Sequence, residues 1–421
     1  MSANTRFSTA LRPHVRTKIE MLGKADIVVG IPSYQSADSI VHVIKTVIAG
    51  IERYYPDCKA LIMVSDGGST DDTRDVACTV DPKSYNIESI VTIYRGVPGK
   101  GSGLRAVFEV AAFLKAKAVC VFDSDLLSIT PEWIRNLIEP VFGGYDYVAP
   151  FYNRYKLDAT ITNTVAYNLT RSLYGLRIRQ PIGGDFGLSP GLVKHYLDQD
   201  VWETDVAKFG IDIWMTTCAI VGGFKVCQAR LGAKIHNHKD PSADLSPMFR
   251  QVVGTQFLLM AQYESFWMQV RGSVEVPMLG DCIDQEPPPF EIDQKGLVEY
   301  FRMGMRNFSG VWKNIIDEQD YQVIEKLARK VKNNGFSMPS ETWIRTVFRY
   351  AAAFHATPRQ RFKLLDTMIP LYYGRVASLV NELKDLDREQ AEALIDRQAE
   401  RFESMKGELI SIWRERKSGE E

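Results

Sequence analysis

The stretch Val119–Ser128, VCVFDSDLLS, constrains the fold more than any other part of the chain. Four apolar residues run directly into Asp123-Ser124-Asp125. An unbroken apolar run of this length suits a strand buried on both faces of a parallel sheet. Open α/β sheets bind ligands beyond the carboxyl ends of their strands, which is where these two carboxylates would emerge. Like charges a few ångströms apart repel, so the pair calls for a cation. Oxygen ligands suit Mg²⁺ or Mn²⁺. By itself a loop with two solvated aspartates accounts for the same letters, so the surrounding chain has to decide.

The residues before this stretch repeat its logic. Ile27–Pro32 (IVVGIP) and Ala60–Ser65 (ALIMVS) read as buried strands, and Ser89–Tyr94 as a third. Between the first two, Ile40, Val43, Ile44 and Val47 share one helical face in a helix expected from about Ala37 to Tyr55. Ser69 or Thr70 is expected to cap a helix starting there. Gly99-Lys100-Gly101 precedes a helix running to about Lys115, and Tyr145–Pro150 reads as a further strand. Alternating strands and helices imply an α/β fold with a mostly parallel sheet and right-handed crossovers.

Downstream the pattern changes. Asn153–Leu176 reads mainly as helix, Gln180–Ser189 (QPIGGDFGLS) as a glycine-rich irregular segment, Trp202–Gly222 as largely helical and Phe224–Arg230 as a strand. Asp281–Asp293 contains three consecutive prolines and is the best linker candidate. The remainder reads as helical. The expected domains are an extension over 1–24, a sheet-containing domain over 25–270 and a helical C-terminal domain over 271–421. Ile395, Phe402 and Leu409 repeat every seven residues, with Gln398, Met405 and Ile412 between them, a spacing that suits a homodimer seam or a helix packed on its own domain.

Composition narrows the function classes. The chain has 421 residues and a formal net charge of −1, so no whole-molecule field favours nucleic acid or an anionic membrane. No run approaches the roughly 20 apolar residues of a spanning helix. Residues 1–24 lack the apolar core of a secretory signal and are expected to be loosely ordered, which points to the cytoplasm. The six cysteines include no CxxC and suit buried, reduced roles.

Four groups carry chemistry. Asp66 and Lys100 are candidates for a nucleotide, Asp66 at a strand end and Lys100 at a helix N-terminus. The GKG spacing fits neither a dinucleotide fingerprint nor a P-loop. Asp123 and Asp125 need further metal ligands, for which His236 and His238 are candidates. Asp185, following Gly183-Gly184, and Asp212, in an apolar setting, are the carboxylates for a reacting centre. Arg154, Asp158 and Thr162 follow i, i+4, i+8 and would share a helix stripe: an arginine fork for a carboxylate beside hydroxyl-binding residues, or a surface ion pair.

In order, IVVGIPSYQSADSI, SDGGSTDDT, GKG and FDSD resemble a GT-A nucleotide-sugar glycosyltransferase over roughly Asp26–Trp267. RQPIGGD, GIDIW and GAKIH are similar to the retaining enzymes that glycosylate D-glycerate or 3-phosphoglycerate: the mannosylglycerate, glucosylglycerate and glucosyl-3-phosphoglycerate synthases. FYNRYKLDATIT is especially similar to the mannosylglycerate synthases, and WIRTVFRYAAAFH with RFKLLDTMIPLYYGRV resembles that family's helical C-terminal part. The resemblance implies a GT-A, Rossmann-like fold and a divalent metal, Mg²⁺ or Mn²⁺. It assigns Pro32, Asp66, Lys100, Asp123, Ser124 and Gly184 to the nucleotide sugar, and Asp125 and His236 to the metal. Asp185 and Asp212 become the catalytic carboxylates, and Arg154, Asp158 and Thr162 the acceptor site. Asp185 stands where the family usually has glutamate, and His238 and Lys239 depart from its pattern.

The implied function is retaining transfer of glucose or mannose from a GDP- or UDP-hexose to D-glycerate. The alternatives are 3-phosphoglycerate or another hydroxylated acceptor. Nucleotidyl transfer would want a glycine-rich loop after the first strand, where PSYQSADS stands instead. A non-catalytic sugar-nucleotide-binding protein would tolerate Asp125→Asn without any loss of turnover.

Overall fold

The computed structural model describes residues 7–82, 84–236, 245–330 and 335–418. His238 and Lys239 lie outside the described residues. The chain divides into two compact units. The first holds the chain up to Arg154, Ile178–His238 and Glu275–Pro287; the second holds Tyr155–Arg177, Lys239–Val274 and Pro288–Glu421.

The first unit is built on one eight-stranded sheet. Its strands are β1 (Ile27–Ser33), β2 (Ala60–Asp66), β3 (Ile87–Ile93), β4 (Ala118–Val121), β5 (Tyr147–Asn153), β6 (Phe186–Leu188), β7 (Val226–Ala233) and β8 (Met278–Leu279). They lie in the order β8-β7-β5-β6-β4-β1-β2-β3. Every position of β1, β2 and β4 is buried, as a strand covered on both faces requires. All pairs are parallel except those made by β6, which runs antiparallel to both β4 and β5.

Helices α1 (Pro13–Leu22), α2 (Ile40–Tyr54), α3 (Thr73–Cys78), α4 (Lys100–Phe113), α5 (Pro131–Phe142), α6 (Pro190–Leu197) and α7 (Ile211–Val221) belong to this unit. The apolar stripe of α2, Ile40, Val43, Ile44, Val47 and Ile51, is buried in one core with β1, β2, β4 and α5. Cys120 and Cys227 are buried in the same core.

Several expectations are corrected. The N-terminal segment is not loosely ordered over its described part. Val15 and Ile19, one turn apart on α1, are buried, and Lys18 Nζ donates to Ser89 O at 2.7 Å. Neither Ser69 nor Thr70 caps a helix; α3 starts at Thr73, and Ser69 donates back to Asp66 instead. The QPIGGDFGLS segment contains a strand, β6. Trp202–Gly222 is helical only over Asp205–Ala207 and then α7, because the backbone leaves the helical conformation at Lys208, with φ −110° and ψ −138°. Asn153 is still strand, and helix begins only at Thr160. Arg154 and Asp158 are therefore not on a helix, and the stripe they were expected to share with Thr162 does not exist.

The second unit is helical, including Ser246–Gln262, Gln294–Ile315, Glu318–Arg329, Ser340–Ala356, Ile369–Leu383, Arg388–Ser404 and Lys406–Ser418. Residues 280–293 form neither helix nor strand. The expected heptad helix breaks at Met405. Ile395, Phe402 and Leu409 are at most 2% exposed, with Phe402 edge-on to Phe348 at 5.7 Å. The seam is filled by the chain's own side chains, so a dimer has nothing left to bury there. Arg171, 1% exposed, is compensated by Asp396 at 2.5 Å and Glu403 at 3.0 Å. Among the described residues no helix is long and apolar enough to cross a membrane.

Lys406 tests this packing. It is buried, with Nζ donating to Val270 O at 3.0 Å. Burial and then Arg271 push its ammonium down to about 8, against partial support from Glu403. From pH 8 to the ordinary lysine value, the unfolded chain binds a proton that the folded chain has released, so stability rises with pH across that window. Lys406→Met removes the penalty of the buried charge. It should stabilise the protein at pH 7 by roughly 1–3 kcal/mol, and the advantage should shrink as pH rises through 8 towards 10. Urea midpoints of both proteins across that range check this.

Candidate active site

The register between β4 and β6 builds the site. Val119 pairs with Leu188, Cys120 with Gly187 and Val121 with Phe186. Continued two residues, this register sets Gly184 opposite Asp123 and Asp185 beside it. The Asp123 N–H donates to Asp185 Oδ1 at 2.8 Å. Gly184 has φ +95°, and a Cβ built there would lie 2.1 Å from Asp123 Oδ2. Only glycine combines that backbone conformation with so close a carboxylate.

Two lysines enclose Asp123. Lys100 Nζ donates to Asp123 Oδ1 at 2.8 Å and to Asp212 Oδ2 at 3.1 Å. Lys234 Nζ donates to Asp123 Oδ2 at 2.9 Å, Asp185 Oδ2 at 2.8 Å and Gly183 O at 2.8 Å. Tyr152 Oη donates to Asp185 Oδ2 as well. Lys100 is the first residue of α4, and the glycines around it serve packing. A Cβ on Gly101 would meet Val206 O at 1.9 Å, and the Gly101 N–H donates to Lys208 O at 3.2 Å. The register of β5 against β7 shifts between Phe151 and Tyr152, with Gly232 at φ +76°. Such a bulge re-aims the residues after it, here Lys234 just past the strand end.

The electrostatics follow from burial and pairing. Burial alone would push Lys100 down, but Asp123 and Asp212 outweigh it and hold the ammonium well above its usual range. Burial acts the same way on Lys234, and Asp123 and Asp185 reverse it. Burial opposes ionisation of Asp123, yet Lys100 and Lys234 hold its carboxyl far below the ordinary value. Burial wins at the other two carboxyls. Asp185 is raised despite Lys234, and Asp212 despite Lys100. Asp212 Oδ1 is buried and has no hydrogen-bond partner among the described residues.

The remaining candidates fall into three places. Asp66 is fully buried and organises its own loop: Oδ1 accepts from the N–H groups of Gly68 and Ser69, both at 2.8 Å, and Oδ2 from Ser33 Oγ and Ser69 Oγ. Pro32 lies in β1 opposite Ser65, and Ser124 Oγ turns to Ser36 Oγ at 2.8 Å. Asp125 and His236 lie on adjoining backbone, since Leu126 and His236 form an antiparallel bridge and the Leu127 N–H donates to Ile235 O at 2.9 Å. Among the described residues, no three His, Cys, Asp or Glu side chains gather into a metal cage. One carboxylate and one imidazole suit an ion whose other ligands are waters and substrate phosphates. The Arg154 guanidinium lies 5.2 Å from the Tyr152 ring centroid, with Lys234 Nζ at 4.9 Å from the same ring. Asp158 and Thr162 belong to the second unit, where the Asp158 carboxylate accepts from the Ala159 N–H at 2.7 Å and Thr162 is buried.

Lys234 and Tyr152 are the members sequence reasoning missed. Lys234 stood in GAKIH beside a chosen histidine, and its position one residue past an apolar strand was the available signal. Tyr152 carries no such signal, because a strand tyrosine reads as core.

Lys234→Met leaves Asp123 and Asp185 buried together without their shared cation. It should cost about 3–5 kcal/mol, and Asp185→Asn in the same chain should return part of that loss. Urea unfolding of the two variants against the parent measures both effects.

Residues 79–254 match the family model described as mannosylglycerate synthase, GT domain. The glucosyl-3-phosphoglycerate synthase of Mycolicibacterium smegmatis is 25% identical over 236 residues, covering 52% of this chain and 72% of that protein. Its counterpart from Mycolicibacterium paratuberculosis is 27% identical over 248 residues, covering 54% and 70%. A crystal structure of glucosyl-3-phosphoglycerate synthase from Mycobacterium tuberculosis with Mn²⁺, UDP-glucose and phosphoglyceric acid aligns with a TM-score of 0.43 at 21% identity, covering 61% of this chain and 86% of that one. The motif order and the sequence matches agree in relating the chain to glycosyltransferases, the mannosylglycerate synthases and the glucosyl-3-phosphoglycerate synthases.

Proposed function

We propose that the chain transfers a hexose, glucose or mannose, from a nucleoside-diphosphate sugar to D-glycerate or 3-phosphoglycerate, with retention at the anomeric carbon. The observation that carries the reading is the Lys100–Asp123–Lys234 cluster beyond β4, beside the backbone pair that brings Asp125 next to His236. Asp125 and His236 are the residues for a Mg²⁺ or Mn²⁺ ion. Such an ion supplies electrostatic and Lewis-acid stabilisation of a departing diphosphate.

Asp123 accepts one lysine hydrogen bond on each oxygen, which leaves a lone pair on each for ribose or sugar hydroxyls. Asp212 Oδ1 is read as an acceptor for a substrate hydroxyl. An unpartnered buried oxygen costs about 1–3 kcal/mol, which supports a ligand role. Asp185 has no exposed surface and is read as the group that holds Asp123 and Lys234 in place. With Asp185 enclosed and Asp212 tied to Lys100, neither carboxylate suits a covalent nucleophile. We therefore favour attack by the acceptor hydroxyl on the face the diphosphate leaves. The bond from the anomeric carbon to the acceptor oxygen forms as the bond to diphosphate breaks, and a diphosphate oxygen takes the acceptor proton.

Arg154 is read as the fork for the acceptor carboxylate. The reading for Asp158 and Thr162 rests on the resemblance of FYNRYKLDATIT alone. That resemblance favours glycerate, whereas the named relatives favour glucose and 3-phosphoglycerate. Nucleotide sugars and phosphoglycerate are intracellular metabolites, which supports action in the cytoplasm.

The deciding experiment supplies Mn²⁺ or Mg²⁺, GDP- or UDP-linked glucose or mannose, and either acceptor, then identifies the product by mass and anomeric NMR. An α-linked glycosyl-glycerate or its phosphate is expected, with turnover lost on chelation and restored by Mn²⁺. An inverted anomer, or no transfer to either acceptor, would overturn the reading. Arg154→Ala should raise the acceptor KM at least tenfold and leave the donor KM within about twofold, as initial-rate kinetics with each substrate varied in turn will show.

A further inference from the structure

Where Ser8–Pro13 crosses α4, the first unit opens a cleft of about 530 Å³. Arg12, Arg16, Arg95, Arg105 and Glu109 line it, with Phe113 among its apolar residues. The cleft is built rather than incidental. Arg105 is 9% exposed, and its guanidinium donates to Phe7 O and Ser8 O at 3.2 and 3.3 Å and pairs with Glu109 at 2.9 Å. The Ala10 N–H donates to the same glutamate, and the Arg95 N–H donates to Ala10 O at 2.8 Å.

Arg105 and Glu109 neutralise each other, which leaves three guanidinium groups. Arg12 is fixed by a bond from Nε to Ile93 O at 2.7 Å, and that carbonyl carries no net charge. Arg16 has only a loose, exposed partner, Glu20 at 3.7 Å, and such pairs contribute little. The Arg95 guanidinium has no hydrogen bond or ion pair among the described residues. The chain's formal net charge is −1, so this concentration of positive charge is local. Like charges held together are relieved by a counter-charge. Arginine forks match phosphate bidentately, and the volume suits a small metabolite.

We infer that this cleft is an anion site for a phosphate monoester, separate from the active site. On α4, Arg105, Glu109 and Phe113 follow i, i+4, i+8, and at about 100° per residue they lie on the face opposite Lys100. Arg95 lies near the start of the loop, residues 94–99, that joins β3 to Lys100 at the start of α4, so an occupied cleft holds the base of that loop.

The test is binding, independent of any transferase activity. Inorganic phosphate is titrated calorimetrically into the full chain at low ionic strength. Vesicles of phosphatidylcholine with and without phosphatidic acid are sedimented with the protein in parallel. The parent and Arg154→Ala should bind phosphate alike, Arg12→Gln/Arg95→Gln should weaken binding at least tenfold, and Arg95→Lys should fall between. Binding of free phosphate assigns a soluble ligand, while capture only by vesicles carrying phosphatidic acid assigns a lipid headgroup. Unchanged phosphate affinity in Arg12→Gln/Arg95→Gln, or affinity lost in Arg154→Ala alone, overturns the proposal.

Discussion

The Asp123 carboxylate between two buried ammonium groups is the interaction on which the rest of the site depends. Burying an isolated carboxylate costs several kcal/mol even after relaxation. Here Lys100 reaches it from the first turn of α4 and Lys234 from the end of β7. Each lysine is in turn balanced by a second carboxylate, Asp212 or Asp185. Two cations and three acids form a chain in which no member can be removed without exposing the charge of its neighbour.

That chain dictates backbone details that would otherwise look incidental. Gly184 must lack a side chain because the Asp123 carboxylate occupies its Cβ position. Gly101 must lack one because the turn at Val206 closes against α4. The bulge opposite Phe151 and Tyr152 turns Lys234 towards the acids. Close packing is concentrated at the point where the charges meet, as expected of a site whose side chains are held in place by their neighbours.

The second unit uses the same device for stability alone. Arg171 and Arg375 are each 1% exposed, and each is paired with acids of its own unit, Arg375 with Glu382 at 2.5 Å. The pairing that makes a site in one unit makes a specific helical core in the other. In the first unit the network around Asp123 ends in a carboxylate oxygen, Asp212 Oδ1, that is buried and has no hydrogen-bond partner among the described residues.

Local chemistry made much of this legible from the letters. Unbroken apolar runs located β1, β2 and β4, and the 3.6-residue stripe of α2 located the helix between the first two, because burial demands those periods. Motif order pointed to the carboxylates at the sheet edge and to a glycosyltransferase. Four features were beyond it, each decided by partners distant in sequence. Strand β6 is three residues long, with glycines that hide its signal, and only pairing with β4 and β5 makes it a strand. Arg154 and Asp158 had helical spacing, but β5 extends to Asn153 through its bonds to β7. The heptad looked like a dimer seam until the chain's own Phe348 met Phe402. Lys234 looked like a bystander to a histidine, and only the pairing of β7 with the distant β5, with its bulge between Arg230 and Gly232, brings its ammonium to Asp123. The sequence by itself determined which segments had to be buried and which residue types the chemistry needed. The tertiary structure decided which charges meet, because strand register and bulges depend on contacts between residues far apart in the chain.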